Sequence, residues 1–120
     1  MSDLSGLRVL VVEDEGAVAL MIEDMLQDLG CKIAASVARL AKASEIAASA
    51  EVDLAILDVN LAGQPVFPVA DILRERQIPL VFSTGYGASG LPPEYRGQPV
   101  LGKPFSIKEL QQTIAFALGR

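Results

Sequence analysis

The sequence predicts a doubly wound α/β fold, a five-stranded parallel sheet with helices on both faces. Two observations carry that expectation. Short, continuous apolar runs alternate along the chain with longer stretches whose apolar residues recur every three or four positions. Acidic, hydroxyl and lysine side chains then cluster just after the apolar runs, the end at which open parallel sheets bind ligands.

Arg8 to Val12 is continuous and rich in valine, as expected of a strand buried on both faces. From about Glu15 to Leu29, the positions Val18, Ile22, Met25, Leu26 and Leu29 form a helical stripe. Gly30 stops that helix as a left-handed cap. Lys32 to Val37 reads as the second strand, with Ile33 its best core residue, and Arg39 to Ala50 as an alanine-rich helix. Asp53 to Leu57 is the third strand. Val66 to Arg76 is a helix that tolerates Pro68 only in its first turn. Pro79 to Phe82 and Pro99 to Gly102 supply the fourth and fifth strands. Between them, Pro92-Pro93 and four glycines in Gly85 to Gln98 predict a short or irregular fourth helix. Ser106 opens the last helix with a capping box to Glu109, and Ile107, Leu110, Ile114 and Leu118 give its expected buried stripe. No repeat or linker interrupts the chain, so residues 1–120 read as a single domain, at roughly 100–200 residues per domain.

Composition removes several functions. The chain is 51% hydrophobic and 21% charged, which fits a folded globule. It has no histidine, so His-based triads, His-ligated zinc and phosphohistidine chemistry are not available to this chain alone. The lone Cys31 excludes an intrachain disulfide and suits a reducing compartment. A net charge of −5 argues against binding a nucleic-acid backbone. No apolar run approaches the roughly 20 residues of a membrane span. Met1 to Gly6 lacks the basic-then-apolar pattern of a secretion signal, so the expected location is the cytoplasm, with no membrane partner.

The strand ends carry the chemistry. The first ends in Glu13-Asp14, the third in Asp58 with Asn60 two residues on, the fourth in Ser83-Thr84, and the fifth in Lys103-Pro104. If the first and third strands are neighbours, three carboxylates converge. Each pair at about 4 Å repels by roughly 1 kcal/mol in water and roughly 4 at an effective dielectric near 20. Such a cluster calls for a cation, and an oxygen-only donor set selects a hard one such as Mg²⁺. The plainer alternative for Glu13, Asp14 and Glu15 is a solvated first turn facing the helix dipole. Asp58, at the lip of an apolar strand, is either a turn-former or a nucleophile toward phosphorus. The backbone carbonyl of Asn60 can complete the metal's ligands. Lys103 can bridge to Asp58 and later hold a phosphoryl oxygen, Thr84 can donate to another, and Pro104 makes a cis bond after Lys103 plausible.

With these residues assembled, the chain resembles the receiver domains of bacterial two-component response regulators. The resemblance spans essentially the whole chain. It rests on Val-Val-Glu13-Asp14-Glu15, Leu-Asp58-Val-Asn60-Leu, Phe-Ser-Thr84-Gly and Lys103-Pro104-Phe105. It implies a flavodoxin-like sheet of order 2-1-3-4-5, Asp58 as phosphoacceptor, Glu13 and Asp14 organising Mg²⁺, and Thr84 and Lys103 on the phosphoryl group. It further implies a phosphohistidine donor, on a sensor histidine kinase or a histidine phosphotransfer protein, and a downstream protein target. Two departures stand out. Val100 occupies the position, three before the lysine, where receivers usually carry an aromatic switch residue, and the segment between Thr84 and Lys103 is short. Phe82-Ser83-Thr84-Gly85-Tyr86 resembles a variant, often stand-alone subgroup with a Phe-x-Thr-Gly-Tyr signature, in which Tyr86 is the candidate replacement for the missing aromatic.

Other functions compete. A Mg²⁺-dependent phosphohydrolase of the haloacid-dehalogenase kind also uses an Asp nucleophile, but it needs a second Asp where this chain has Asn60, and a cap domain. A flavodoxin-like nucleotide binder lacks its Gly-rich phosphate loop here. A receiver fold used as a phosphorylation-independent interaction module is the remaining alternative. No DNA-binding or enzymatic output domain fits in 120 residues, so a stand-alone regulator that catalyses only its own phosphorylation and dephosphorylation is expected, although the ending at Gly119-Arg120 leaves truncation open. The expected output surface is the fourth-helix region, the fifth strand and the last helix.

Overall fold

Four consecutive apolar residues, three of them valine, let the first strand bury both of its faces: β1 (Arg8–Val12) is exposed only at Arg8. Val9 and Val11 pack into one helical layer, Leu10 and Val12 into the other. The computed structural model describes residues 4–85 and 91–119. Around β1 are placed β2 (Lys32–Val37), β3 (Leu54–Asp58), β6 (Leu80–Thr84) and β7 (Val100–Gly102), all parallel, in the order β2-β1-β3-β6-β7. This is the expected 2-1-3-4-5 arrangement, β6 and β7 being the fourth and fifth strands.

Helices α1 (Gly16–Asp28) and α4 (Ile107–Ala117) cover one face through Ile22, Leu26, Leu110 and Ile114. Helices α2 (Leu40–Ser49) and α3 (Phe67–Glu75) cover the other through Ala43, Ala47, Val69, Ala70 and Leu73. The end of α1 is a Schellman turn. Gly30, at φ +89°, donates to Gln27 O at 3.0 Å and Cys31 donates to Leu26 O at 2.9 Å. A Cβ at Gly30 would also lie 3.2 Å from Ser5 Cα. The capping box of α4 forms as expected: Glu109 N–H donates to Ser106 Oγ and Ser106 N–H donates to Glu109 Oε1, each at 3.1 Å.

Three features depart from the sequence reading. Ile107 is 37% exposed rather than buried, because it sits in the first turn of α4 and Phe105 fills the core beside Leu110 in its place. Ile33 is only partly buried, since β2 is an edge strand. A hairpin not foreseen from the sequence, β4 (Asn60–Leu61) and β5 (Gln64–Pro65), follows β3 and turns at Ala62 and Gly63, both at positive φ. Of the expected fourth-helix segment, the described residues between β6 and β7 hold one helical element, the 3₁₀ turn Pro93–Tyr95. Tyr86, with the rest of 86–90, lies outside the described residues.

Candidate functional site

The strands themselves deliver the site. β3 and β6 run one and two residues beyond the expected ends, so Asp58 and Thr84 are their final residues, fixed by the sheet rather than by loops. Glu13 extends β1 by one bond, its N–H donating to Val37 O at 3.0 Å. Because β1 and β3 are paired neighbours, Glu13, Asp14 and Asp58 converge, with one carboxylate oxygen from each lying within 4.8 Å of the others.

Lys103 crosses from the far edge of the sheet to this cluster. Its ammonium donates to Glu13 Oε1 at 2.8 Å and lies 3.3 Å from Asp58 Oδ2. The expected bridge to Asp58 is therefore shared, and Glu13 is the nearer partner. The Lys103-Pro104 bond is cis, and the Lys103 N–H donates to Thr84 O at 2.9 Å, tying the lysine to the end of β6. Asn60 holds the acidic loop together: its N–H donates to Asp58 Oδ1 at 3.3 Å and its side-chain oxygen accepts from Gly63 N–H at 2.7 Å. The hairpin turn in turn donates its Ala62 N–H to Asp14 Oδ2 at 3.0 Å. Asp14, Asp58, Asn60, Thr84 and Lys103 line one cleft of about 580 Å³.

The electrostatics follow from burial and crowding. Removal from water, followed by the charge of Glu13, pushes the Asp58 carboxyl up to about 7, against the pull of Lys103. Burial disfavours the charged form of Lys103, but its bond to Glu13 and the charge of Asp58 outweigh that and raise its pKa. Burial also works against ionised Asp14, and the hydrogen bonds from Asp58 and the Ala62 N–H overcome it, so that carboxyl is lowered. Oxygen-only donors, excess negative charge and an open cleft fit a hard divalent cation.

The chain matches the response regulator receiver domain family over residues 9–115. It belongs to that family. SdrG from Sphingomonas melonis Fr1 shares 39% identity and superposes with a TM-score of 0.85, covering 98% of this chain and 99% of that one. The receiver domain of a Pseudomonas aeruginosa PAO1 sensor histidine kinase, solved with a magnesium ion coordinated in its active-site cleft, shares 25% identity at a TM-score of 0.80, over 97% of this chain and all of that one. The phyllosphere-induced regulator PhyR of Methylorubrum extorquens is 29% identical over 116 residues. This chain spans 43% of PhyR's length, while 92% of the chain is matched. As a receiver, the chain has a phosphoacceptor role, and its cluster of Glu13, Asp14 and Asp58 is suited to Mg²⁺.

The structure brings Glu13, Asp14, Asp58, Asn60, Thr84 and Lys103 together, as the strand-end argument expected. Val100 lies away from the cleft, half-buried and paired with Phe82. Two features had no clear sequence signal. The turn at Ala62 lacks the usual Asn-Gly or Asp-Gly pair. The buried Tyr95 contacts Phe67 and Phe82, with ring centroids 5.7 and 5.4 Å away, and its hydroxyl donates to Asp71.

Proposed function

We propose that Asp58 is the phosphoacceptor and that this chain is a single-domain receiver of the variant, stand-alone kind with a Phe-x-Thr-Gly-Tyr signature. The observation that carries the reading is the position of the Asp58 carboxylate, at the lip of a central strand, 3.3 Å from the Lys103 ammonium and within 4.8 Å of two further carboxylates. Glu13, Asp14 and Asp58, with the backbone carbonyl of Asn60, are the groups suited to hold Mg²⁺. When bound, the ion supplies the positive charge that lets an anionic phosphoryl group approach an anionic oxygen.

Asp58 attacks phosphorus as the donor's P–N bond breaks, and Lys103 and the Thr84 hydroxyl take the phosphoryl oxygens. The donor is a phosphohistidine on a sensor histidine kinase or a histidine phosphotransfer protein, since this chain has no histidine of its own. The receiver acts in the cytoplasm. Among its described residues, no helix is long and apolar enough to cross a membrane. Output passes to a protein target through the 91–98 region, β7 and α4, by a difference in partner affinity between the two states.

Acetyl phosphate with Mg²⁺ tests the reading. The intact mass of the wild type gains one phosphoryl group, and Asp58→Asn gains none. An unmodified wild type, or an equal gain in the variant, contradicts it.

A further inference from the structure

Ser83 Oγ is the single fully buried side-chain polar atom among the described residues that has no hydrogen-bond partner. A buried, unpaired hydroxyl costs about 1–3 kcal/mol, so its location calls for an explanation. Ser83 is 0% exposed and is the register partner of Asp58 across β3 and β6. In-register residues of parallel strands share a face. Val81, two residues before Ser83, and Ile56, two before Asp58, both belong to the α1/α4 layer. Lys103 follows the edge strand β7, yet its ammonium reaches Asp58 on β3 and Glu13 beyond β1. To do so its stem passes over β6, the strand that carries Ser83.

We propose that Ser83 is a positioning residue for phosphoryl transfer: its hydroxyl takes over the Asp58 carboxyl oxygen that Lys103 releases when the ammonium turns to the incoming phosphoryl group. The inference rests on Asp58 being the acceptor. In the resting state Lys103 occupies Asp58 Oδ2 and the Asn60 N–H occupies Oδ1, so both carboxylate oxygens are served and Ser83 is left out. With acetyl phosphate, an Asp58 oxygen–phosphorus bond forms, the phosphorus–oxygen bond to acetate breaks, and acetate leaves as the anion. Ser83 keeps its proton throughout. A bond made only as Lys103 departs stabilises the transition state without stabilising the resting enzyme, which raises the maximal rate rather than the affinity for the donor.

The test compares wild type, Ser83→Ala and Ser83→Thr with acetyl phosphate and Mg²⁺, reading intact mass against time over a range of donor concentrations. Ser83→Ala slows the maximal rate about tenfold, the scale of one hydrogen bond. Its half-saturating donor concentration is unchanged and its melting temperature is equal or higher, since an unpaired buried hydroxyl has been removed. Ser83→Thr, which keeps the hydroxyl, restores the rate to within about threefold. An Ala variant as fast as wild type, or a Thr variant as slow as Ala, overturns the inference and leaves the phosphoacceptor reading standing. A wild type that gains no phosphoryl group overturns both.

Discussion

The acidic end of β1 and β3 and the connection from β6 to β7 are built on opposite principles. At the acidic end, Glu13, Asp14 and Asp58 are crowded, partly desolvated and mutually repulsive, and Lys103 only partly compensates. In the connection, Tyr95 is fully buried against Phe67 and Phe82, with its hydroxyl on Asp71 and the Arg74 guanidinium 5.0 Å above its ring. The first region gives up stability for chemistry. The second contributes stability, and the groups Tyr95 meets, Phe67, Phe82, Asp71 and Arg74, are none of the reacting ones. Substitutions in the two regions should therefore have opposite signatures.

The largest effect on folding is expected from Tyr95→Ala. Deleting a buried aromatic costs about 3–5 kcal/mol, read as a lower denaturation midpoint, while whatever folds still takes up a phosphoryl group from acetyl phosphate. Loss of uptake in the folded variant would erase the contrast between the regions. Asp58→Asn should do the reverse, abolishing uptake and stabilising the metal-free protein at neutral pH. The sign follows from burial. Folded Asp58 keeps its proton up to about pH 7, whereas the unfolded carboxyl ionises near 4. The folded state thus binds more protons between those values, and stability falls as pH rises through that window. Thermal melts from pH 4 to pH 8 in EDTA should show this slope in the wild type and a shallower one in Asp58→Asn. Added Mg²⁺ should raise the wild-type midpoint at pH 8 and leave Asp58→Asn less affected.

A finer probe of the aromatic region is Tyr95→Phe, which keeps the ring packing and removes only the bond to Asp71. It should cost about 1 kcal/mol, with Asp71 left accessible to water. The smallest expected effect is Ser106→Ala at the α4 cap, about 1 kcal/mol or less, with phosphoryl uptake unchanged in rate.

The same contrast explains what the sequence disclosed. Strand ends were legible because a buried strand in a parallel sheet has an unmistakable apolar run, and the polar residue after it must lie at the ligand-binding edge. Asp58, Thr84 and Lys103 were therefore placed by local pattern alone, and the capping box at Ser106 fixed the start of α4 in the same way. Tyr95 was not legible, because its partners Phe67, Asp71 and Phe82 come from other elements and no period links them. The β4–β5 hairpin was hidden by Ala62, a non-glycine residue at positive φ whose N–H bonds to the distant Asp14, while the Asn60 side chain spans the turn to Gly63 N–H. Ile107 fits the helical stripe by spacing, but spacing says nothing of where a helix end overhangs its core.

The central claim is that one carboxylate, at the end of β3, receives the phosphoryl group. Borohydride reduction of the acetyl-phosphate-treated protein converts an aspartyl phosphate to homoserine, and peptide mass spectrometry locates the change. The reduced residue should be Asp58 alone. Reduction at Asp14 or Glu13, or at no carboxylate in a protein that has gained a phosphoryl group, would contradict the account.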